Sequence, residues 1–414
     1  MTVASLGLAA KGAAPALAAS PVGVRNGALE RMADAIEGSA ATSILSANAR
    51  DIESAEQNGV APHMLDRLRL TQERLAGISA GIREIAAMPD PLGEITGMTR
   101  RPNGLLIGKQ RVPLGVIGVI FESRPNVAAD ISALCIKSGN AVLLRGGKEA
   151  INSNIAMTCA IRGALAAAGL PEDGVCLVTD TSRDSATELM RLRGTVDVLI
   201  PRGGKGLISS VVENSSVPVI ETGAGNCHVY VDSAADLDMA VDILFNAKCQ
   251  RPSVCNAAES LLVARSIAHE FLPRAFERLS EKNVEWRGCP ETCAILPSAI
   301  PASEEDYFTE YNDYILSCKV VSGVDEAIAH INAHSTAHSE AIITRDHPTA
   351  MKFLSAVDSA AVYVNASTRF TDGGEFGLGA EIGISTQKLH ARGPVGLDAL
   401  TSSKYIIFGD GQVR

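Results

Sequence analysis

Apolar residues in the first ninety positions recur every three or four residues. Stretches such as GALERMADAIEG and HMLDRLRLTQERLAGISAGIREIAAM place charged side chains between apolar ones. This spacing is typical of one buried face of an α-helix. The segment PDPLG near residue 90 ends the pattern, because proline lacks the amide proton that a helix interior needs. The sequence therefore predicts a mostly helical region over residues 1–90.

The pattern changes after residue 111, where short β-branched runs alternate with helical segments. The predicted strands are VPLGVIGVIFES, NAVLLRGG, GVCLVTD, VDVLIPRGG and VPVIETG. Their hydrophobicity is continuous rather than alternating, which is typical of parallel strands buried on both faces. Strands that alternate with helices in this way predict a doubly wound α/β domain.

The same alternation begins again near residue 228. The predicted strands here are HVYVD, AESLLVARS, CAILP, CKVVSG, EAIITR and AAVYVNAS, with helices over 236–248, 267–281, 324–333 and 348–357. No internal repeat and no low-complexity linker separates the two halves. We therefore predict two α/β domains joined near residue 225.

Composition narrows the classes of partner. The 414 residues include 37 Lys and Arg against 47 Asp and Glu, a net charge of −10. Proteins that bind nucleic acid or anionic membranes usually have the opposite balance, and no apolar run approaches the ~18 residues of a membrane span. Nine scattered cysteines, an odd number, favour reduced thiols over a disulfide framework. We expect a cytoplasmic protein without a nucleic-acid or membrane partner.

Two predicted strand-to-helix turns share one design. Ligands of a parallel sheet gather at the carboxyl ends of its strands, where helix N-termini present free N–H groups. The residues at these two turns are Arg145 and Lys148 in LLRGGKEA, and Arg202, Gly203, Gly204 and Lys205 in LIPRGGKGL. A phosphate-bearing cofactor would suit both turns, although ordinary turns with solvated cations would look the same. The first strand is not followed by G-x-G-x-x-G, so the usual dinucleotide fingerprint is missing.

Three further positions could carry chemistry. Asn126 in ESRPNV follows a strand, where its amide could donate to an oxyanion or cap a helix. Glu221 in IETGAGN could be a general base or an exposed carboxylate. Cys249 and Cys255 in NAKCQRPSVCNAAES are too far apart for a Cys-x-x-Cys redox or zinc motif. Taken alone, either thiol is more often a small buried apolar side chain.

Taken together, these residues resemble the aldehyde dehydrogenase superfamily. The spacing of Asn126, Glu221 and Cys255 is similar to that of its oxyanion asparagine, glutamate base and catalytic cysteine, and NAKCQRPSVCNA resembles its Asn-x-Gly-Gln-x-Cys stretch. The resemblance implies that Cys255 is the nucleophile and that Cys249 packs in the core. It also implies two doubly wound Rossmann-like domains of the aldehyde dehydrogenase type, with a small β oligomerisation arm.

Four stretches narrow the resemblance to one branch. GVIFESRPNV, LLRGGKEA, HSTAHSEAIIT and VNASTRFTDGGEFGLGAEIGISTQKLHARGPVGL are similar to the gamma-glutamyl phosphate reductases. This branch implies NADPH-dependent reduction of L-glutamyl 5-phosphate to L-glutamate 5-semialdehyde through a cysteinyl thioester, the second step of proline biosynthesis from glutamate. The alternatives are an NAD(P)-dependent semialdehyde dehydrogenase working in the oxidising direction, a cysteine hydrolase or acyltransferase, and a non-catalytic oligomeric scaffold on this fold.

The resemblance also sets the expected domains and partners. An NADP-binding domain over 1–227 is interrupted by an oligomerisation hairpin near 95–112. A catalytic domain over 228–367 is followed by a return segment and C-terminal oligomerisation strand over 368–414. We predict that the strand around KYIIFG pairs with another subunit rather than with its own domain, because an exposed apolar edge is prone to association. A homo-oligomer and a transient contact with glutamate 5-kinase are the expected assemblies.

The remaining site residues divide between substrate and cofactor. Arg369 is suited to bidentate capture of the substrate α-carboxylate; its neighbours Ser367 and Thr368 and the earlier Arg124 are further substrate candidates. Lys148 lies three residues after Arg145, where NAD-using relatives commonly have a glutamate, so we expect it to attract the 2′-phosphate of NADPH. Glu310 in TEYNDYIL is assigned to the nicotinamide ribose. Reduction of an acyl phosphate needs no activated water, so Glu221 would position rather than deprotonate. No metal is expected.

Overall fold

The computed structural model describes residues 1–60, 62–122 and 124–414, with the backbone alone for Pro62, His63 and Lys205. The chain forms two compact units. The first contains 1–222, 377–383 and 395–414, and the second contains 223–376 and 384–394. The boundary predicted at residue 227 therefore lies inside the second unit, and much of the predicted return segment is part of that unit.

The N-terminal region is helical, as its apolar periodicity predicts. Its helices are α1 (Val3–Ala19), α2 (Val22–Asp34), α3 (Ala41–Gln57), α4 (Pro62–Leu68) and α5 (Gln72–Ala87). In α3 the residues Ile44, Ala47 and Ile52, three to five positions apart, are buried. The first turn of α5 is capped by Thr71, whose hydroxyl accepts a hydrogen bond from the Arg74 N–H at 3.1 Å.

The first unit contains a parallel sheet with its helices in βαβ order. Its strands are β3 (Val116–Phe121), β4 (Ala141–Gly146), β5 (Val175–Leu177) and β6 (Val198–Arg202), in the order β5-β4-β3-β6. The connecting helices are α6 (Asn126–Lys137), α7 (Ile151–Ala167), α8 (Arg183–Met190) and α9 (Lys205–Asn214). All six residues of β3 are buried. The predicted strand VPVIETG is reduced to one parallel bridge between Leu199 and Val219.

The second unit is built on a seven-stranded parallel sheet. Its strands are β7 (Cys227–Val231), β8 (Ala258–Ala264), β9 (Glu285–Gly288), β10 (Ile300–Pro301), β11 (Ile315–Val321), β12 (Ser339–Ile343) and β13 (Ala361–Val364), in the order β10-β9-β11-β8-β7-β12-β13. Its helices are α10 (Leu237–Cys249), α11 (Ala268–Ser280), α12 (Pro290–Ile295), α13 (Val324–His334) and α14 (His347–Ala356). A short antiparallel pair, β14 (Ile384–Ser385) and β15 (Gly393–Pro394), completes the unit.

Successive residues of the central strands enter different cores. In β7, Val229 and Val231 pack in the core that includes Phe271 and Trp286, whereas Tyr230 packs in a second core with Phe353. Period-two alternation of side chains on a strand buried on both faces requires this arrangement. The predicted doubly wound fold of the aldehyde dehydrogenase type is confirmed.

One predicted strand is wrong. The run CAILP falls in and just after α12, which Pro290 begins and which Cys289 caps by accepting the Thr292 N–H at 3.4 Å. Proline at the first helical position has the required φ and loses no hydrogen bond. The strand at this point is β9, whose sequence EWRG has little of the apolar character of a buried strand.

A three-stranded antiparallel sheet projects from the first unit. It consists of β1 (Ile95–Arg100), β2 (Leu106–Pro113) and β16 (Thr401–Phe408), in the order β1-β2-β16. All eight residues of β16 pair with β2 of the same chain. β16 therefore does pair with its own domain, through the hairpin at 95–113, and that part of the prediction is wrong. Association of this strand with another subunit stays a prediction. None of the described helices is long and apolar enough to cross a membrane.

Candidate active site

Cys255 lies between α10 and β8 in the second unit. Its side chain is partly exposed, whereas Cys249 is 4 % exposed within the core formed by α10 and α11. Burial raises the pKa of Cys249 to about 11. Only an accessible thiol that can ionise near neutral pH can serve as a nucleophile. Of the two cysteines in this stretch, Cys255 alone meets the first requirement.

The predicted substrate stretch at 367–369 holds the cysteine segment. The Arg369 guanidinium donates through Nε to Gln250 Oε1 at 3.0 Å and through Nη1 to Asn256 Oδ1. The Thr368 hydroxyl donates to the Asn256 carbonyl at 2.7 Å. Gln250 and Asn256 flank the nucleophile, so these bonds fix the chain on both sides of Cys255.

The three residues of this stretch differ in exposure. Ser367 and Thr368 are buried, and the Ser367 hydroxyl accepts the Arg369 N–H at 3.2 Å. Arg369 is partly exposed and interacts electrostatically with Cys255 and Arg251. Burial and the nearby Arg251 lower the pKa of Arg369, while Cys255 raises it. A guanidinium beside a thiol favours the thiolate.

The carbonyl of Cys255 is in close contact with the chain that enters β7. A methyl group on Gly225 would lie 1.4 Å from the Cys255 carbonyl oxygen, so only glycine fits there. The Cys227 thiol donates to the same carbonyl at 3.2 Å. The Gly225 N–H donates to Glu310 Oε1 at 2.7 Å, which places Glu310 in the group of residues around the nucleophile segment.

A buried ion pair joins the two ends of the segment that contains Cys255. Lys248 in the last turn of α10 and Glu259 in β8 are fully buried, with 2.5 Å between Nζ and Oε2. Glu259 also accepts the Asn312 N–H at 3.0 Å. Burial raises the pKa of Glu259 to about 7 and lowers that of Lys248, while the pairing opposes both shifts. Loss of either partner would leave a buried group without compensation.

Asn126 is the first residue of α6 in the first unit. Its N-cap is Pro125, and the Asn126 side chain donates from Nδ2 to Asp130 Oδ2 at 2.9 Å. The alternative that Asn126 caps the helix does not hold. Arg124 and Glu221 are partly exposed residues of the same unit, just after the ends of β3 and of the bridge at Val219 respectively.

Two helix N-termini in the first unit each bind a carboxylate, which is buried at α7 and exposed at α9. At α7 the buried Asp51 accepts the Asn152 and Ser153 N–H groups at 3.1 and 2.8 Å. At α9 the exposed Glu122 accepts the Gly204 N–H at 2.9 Å. The glycine turn of α9 therefore donates a backbone N–H to an anionic oxygen. A cofactor phosphate would need the same kind of donor. The α9 turn fits a dinucleotide cofactor better than the α7 N-terminus.

The cations assigned to the cofactor have different surroundings. Arg145 donates from Nη2 to the Thr181 and Ser182 carbonyls, both at 2.7 Å, so its guanidinium secures the loop before α8. Lys148 is exposed in a short 3₁₀ turn, and no described carboxylate lies within 4 Å of its ammonium. Arg202 ends β6 beside Gly203 and Gly204, whereas the Lys205 side chain lies outside the described residues. Within the described ranges, no group of three or more potential ligands could hold a metal ion.

Comparison with known proteins identifies the family. The aldehyde dehydrogenase family model matches residues 2–293. A gamma-glutamyl phosphate reductase from Carboxydothermus hydrogenoformans is 57% identical over 412 residues, covering 100% of this chain and 99% of that protein. The chain belongs to the gamma-glutamyl phosphate reductases of the aldehyde dehydrogenase family. The resemblance inferred from the sequence motifs is confirmed.

Two further comparisons agree. A gamma-glutamyl phosphate reductase from Clostridium perfringens is 60% identical over 371 residues, covering 90% of this chain and 89% of that protein. The crystal structure of a gamma-glutamyl phosphate reductase from Thermotoga maritima has a TM-score of 0.98 at 48% identity, with 100% of both chains covered. As a member of this family the chain is an oxidoreductase, and the family implies a nicotinamide cofactor.

Four features of the site were not predicted from the sequence. They are Glu122 at the α9 turn, Asp130 beside Asn126, Gly225 against the nucleophile, and the Lys248–Glu259 pair. Asp130 could have been found, because residues four apart on a helix face each other. The other three depend on contacts between distant segments, which local patterns do not specify.

We expect Gly225→Ala to reduce turnover by about 100-fold or more, since the added methyl would lie 1.4 Å from the Cys255 carbonyl oxygen and must displace that backbone well beyond the ~1 Å that already impairs catalysis. The control is Gly323→Ala, in the same unit, where a methyl group meets no atom within 4 Å and φ is extended. Steady-state kinetics and thermal melting on both variants provide the test. Near-wild-type turnover in Gly225→Ala would show that this contact does not position the nucleophile.

Proposed function

We propose that this chain reduces L-glutamyl 5-phosphate to L-glutamate 5-semialdehyde and phosphate with NADPH, through a thioester on Cys255. The observation that carries the proposal is the environment of Cys255, a partly exposed thiol whose chain is fixed on both sides by Arg369 and which interacts electrostatically with that guanidinium. The names of relatives that are 57% and 60% identical supply the substrate. The reaction is the second step of proline biosynthesis from glutamate.

The residues account for the first half of the reaction. An ordinary thiol, with a pKa near ~8.5, is only a few per cent ionised at neutral pH, and the positive charge of Arg369, which interacts with Cys255, favours the thiolate. The Cys255 thiolate attacks the acyl carbon, and its oxygen becomes an oxyanion. Asn126 and the Cys255 N–H would donate to that oxyanion, where loss of one such donor costs roughly 3 kcal/mol. Phosphate leaves and a thioester remains.

The second half requires the thiol to act as a leaving group. When bound, the reduced nicotinamide supplies the hydride that converts the thioester to a thiohemiacetal. The same oxyanion donors serve this step, and Cys255 then departs as thiolate while the aldehyde is released. No water is activated, so Glu221 contributes to positioning. Glu310 Oε1 accepts the Gly225 N–H. Its other oxygen, Oε2, would orient the nicotinamide ribose.

Cofactor and substrate would be held by the cations at the strand ends. The pyrophosphate would bind at the α9 turn, to Arg202, Gly203 and Gly204. Lys205 is assigned to the same group from its position in the sequence LIPRGGKGL. The exposed Lys148 would attract the 2′-phosphate, supported by Arg145, which fixes the adjacent loop. Arg369 would bind the substrate α-carboxylate, with Ser367 and Thr368 holding its backbone. Arg124 would receive the leaving phosphate or that carboxylate.

The assembly and location follow from the family. Members of the aldehyde dehydrogenase family are typically oligomeric, and we propose a homo-oligomer that uses the sheet β1-β2-β16. Its outer strand β16 exposes Tyr405, Ile407 and Phe408, which an association would bury. We place the enzyme in the cytoplasm, where reduced thiols persist. A transient contact with glutamate 5-kinase would limit hydrolysis of the labile acyl phosphate.

The test of the nucleophile is NADPH oxidation with enzymatically generated glutamyl phosphate. Cys255→Ala should abolish reduction and leave NADPH binding intact, because the thiol makes the only covalent bond to substrate in this mechanism. Cys249→Ala should retain most activity, since that thiol is buried in the core. Equal losses in both variants would refute the assignment. Oxidation of the semialdehyde by the wild type without phosphate would favour the oxidising alternative.

The test of cofactor choice is Lys148→Glu, with kcat/KM measured for NADPH and NADH. The reversed charge should reduce the NADPH preference by about tenfold or more, since a carboxylate near the 2′-phosphate repels it. Lys11→Glu, at an exposed lysine on α1 of the same unit, is the control for net charge. An unchanged cofactor ratio in Lys148→Glu would mean that other residues bind the 2′-phosphate.

A further inference from the structure

The helix that begins with Asn126 contains an acidic residue in a poorly solvated position. Asp130 lies one turn into α6, between the buried residues Ala129 and Ile131. Burial raises the pKa of Asp130 to about 6, against the opposing effects of the hydrogen bond from Asn126 and the charge of Arg202. Burial of a carboxylate is costly unless the carboxylate is hydrogen-bonded or paired with a charge.

The contact that Asp130 makes is with the proposed oxyanion donor itself. Asn126 Nδ2 lies 2.9 Å from Asp130 Oδ2. A primary amide nitrogen carries two protons, and an ionised carboxylate can only accept. The bond therefore uses one Nδ2 proton and leaves the other for a substrate oxygen. It also keeps the amide from turning its own oxygen toward Asp130, which would reverse the donor and acceptor ends of the group.

We propose that Asp130 is a positioning residue for acyl reduction, which fixes the amide of Asn126 so that its second Nδ2 proton is presented to the oxyanion. The inference rests on the proposed function, because it requires Asn126 to serve the acyl carbon attacked by Cys255. Preorganised donors are effective because they need not reorient as charge develops. Asp130 touches no reacting atom and acts through Asn126 alone.

The charge on Asp130 gives the proposal a pH dependence. Above pH 6 the carboxylate is ionised and imposes one amide orientation. Below pH 6 the protonated acid can also donate to the Asn126 oxygen, so the orientation is no longer unique. Among the described residues, the groups that interact with Asp130 are Asn126 on its own helix and Arg202 at the end of β6. We expect kcat to fall as pH decreases through about 6.

The experiment compares Asp130→Ala with Asp130→Asn. Asp130→Ala should lower kcat for glutamyl phosphate reduction about tenfold, less than removal of an oxyanion donor outright. The KM, the affinity for NADPH and the rate of Cys255 alkylation by iodoacetamide should be unchanged, because alkylation forms no oxyanion. Asp130→Asn retains an acceptor oxygen but also brings an amide donor, as the protonated acid does, so kcat should stay near the low-pH value of the wild type at every pH and the limb near pH 6 should disappear.

A matched control separates positioning from helix stability. Glu53 accepts a hydrogen bond from Gln57 Nε2 at 3.4 Å across one turn of α3. Glu53→Ala removes a comparable amide–carboxylate bond and should leave kcat unchanged. Should Asp130→Ala fail to fold, Asp130→Asn and its pH profile decide alone.

The outcomes distinguish the inference from the function on which it rests. Wild-type enzyme that does not reduce glutamyl phosphate overturns the proposed function and the inference together. Active wild type with an Asp130→Ala variant of equal kcat overturns the inference alone. A variant that loses NADPH binding and alkylation in parallel with kcat also overturns it, since Asp130 would then be structural. Persistence of the pH limb in Asp130→Asn would exclude Asp130 as its source.

Discussion

The guanidinium of Arg369 is the contact on which the arrangement of the second unit's site depends. It bonds to Gln250 before Cys255 and to Asn256 after it, and its charge acts on the thiol itself. One side chain thus fixes the chain on both sides of the nucleophile and brings a positive charge to its thiol. Gly225 supports the same segment from the β7 side by allowing the Cys255 carbonyl to approach the chain closely. A rigid support of this kind is what a nucleophile that must attack and then leave requires.

In the first unit, carboxylates rather than a guanidinium hold the candidate functional groups by hydrogen bonds. Glu122 occupies the α9 turn, and Asp130 holds Asn126. Both carboxylates lie within nine residues of the end of β3, and they accept hydrogen bonds from groups that the proposed mechanism uses to bind anions. The chain itself provides hydrogen-bond partners for these donors, and in the proposed mechanism this holds them in place for cofactor and substrate. Glu122 is exposed, whereas Asp130 is held beside Asn126 on the same helix.

The fold and part of the candidate site could be predicted from the sequence, where the pattern of neighbouring residues determines the structure. Runs of continuous apolar residues predicted both parallel sheets. The spacing of motifs, including Asn126 and Cys255, predicted the family. The predictions failed where distant segments decide the outcome. The strand β16 pairs with β2 across nearly three hundred residues of chain, and EWRG forms a strand because β11 lies beside it. The guanidinium of Arg145 extends to the Thr181 and Ser182 carbonyls, a direction that its position at a strand end does not specify.

The central claim is that Cys255 carries the substrate as a thioester. The most direct test is intact-protein mass spectrometry after mixing the enzyme with enzymatically generated glutamyl phosphate without NADPH. The account predicts a mass increase of one glutamyl group, mapped to the peptide containing Cys255, removed by NADPH and missing from Cys255→Ala. An unmodified protein that nevertheless oxidises NADPH with this substrate, or an adduct on Cys249, would contradict it.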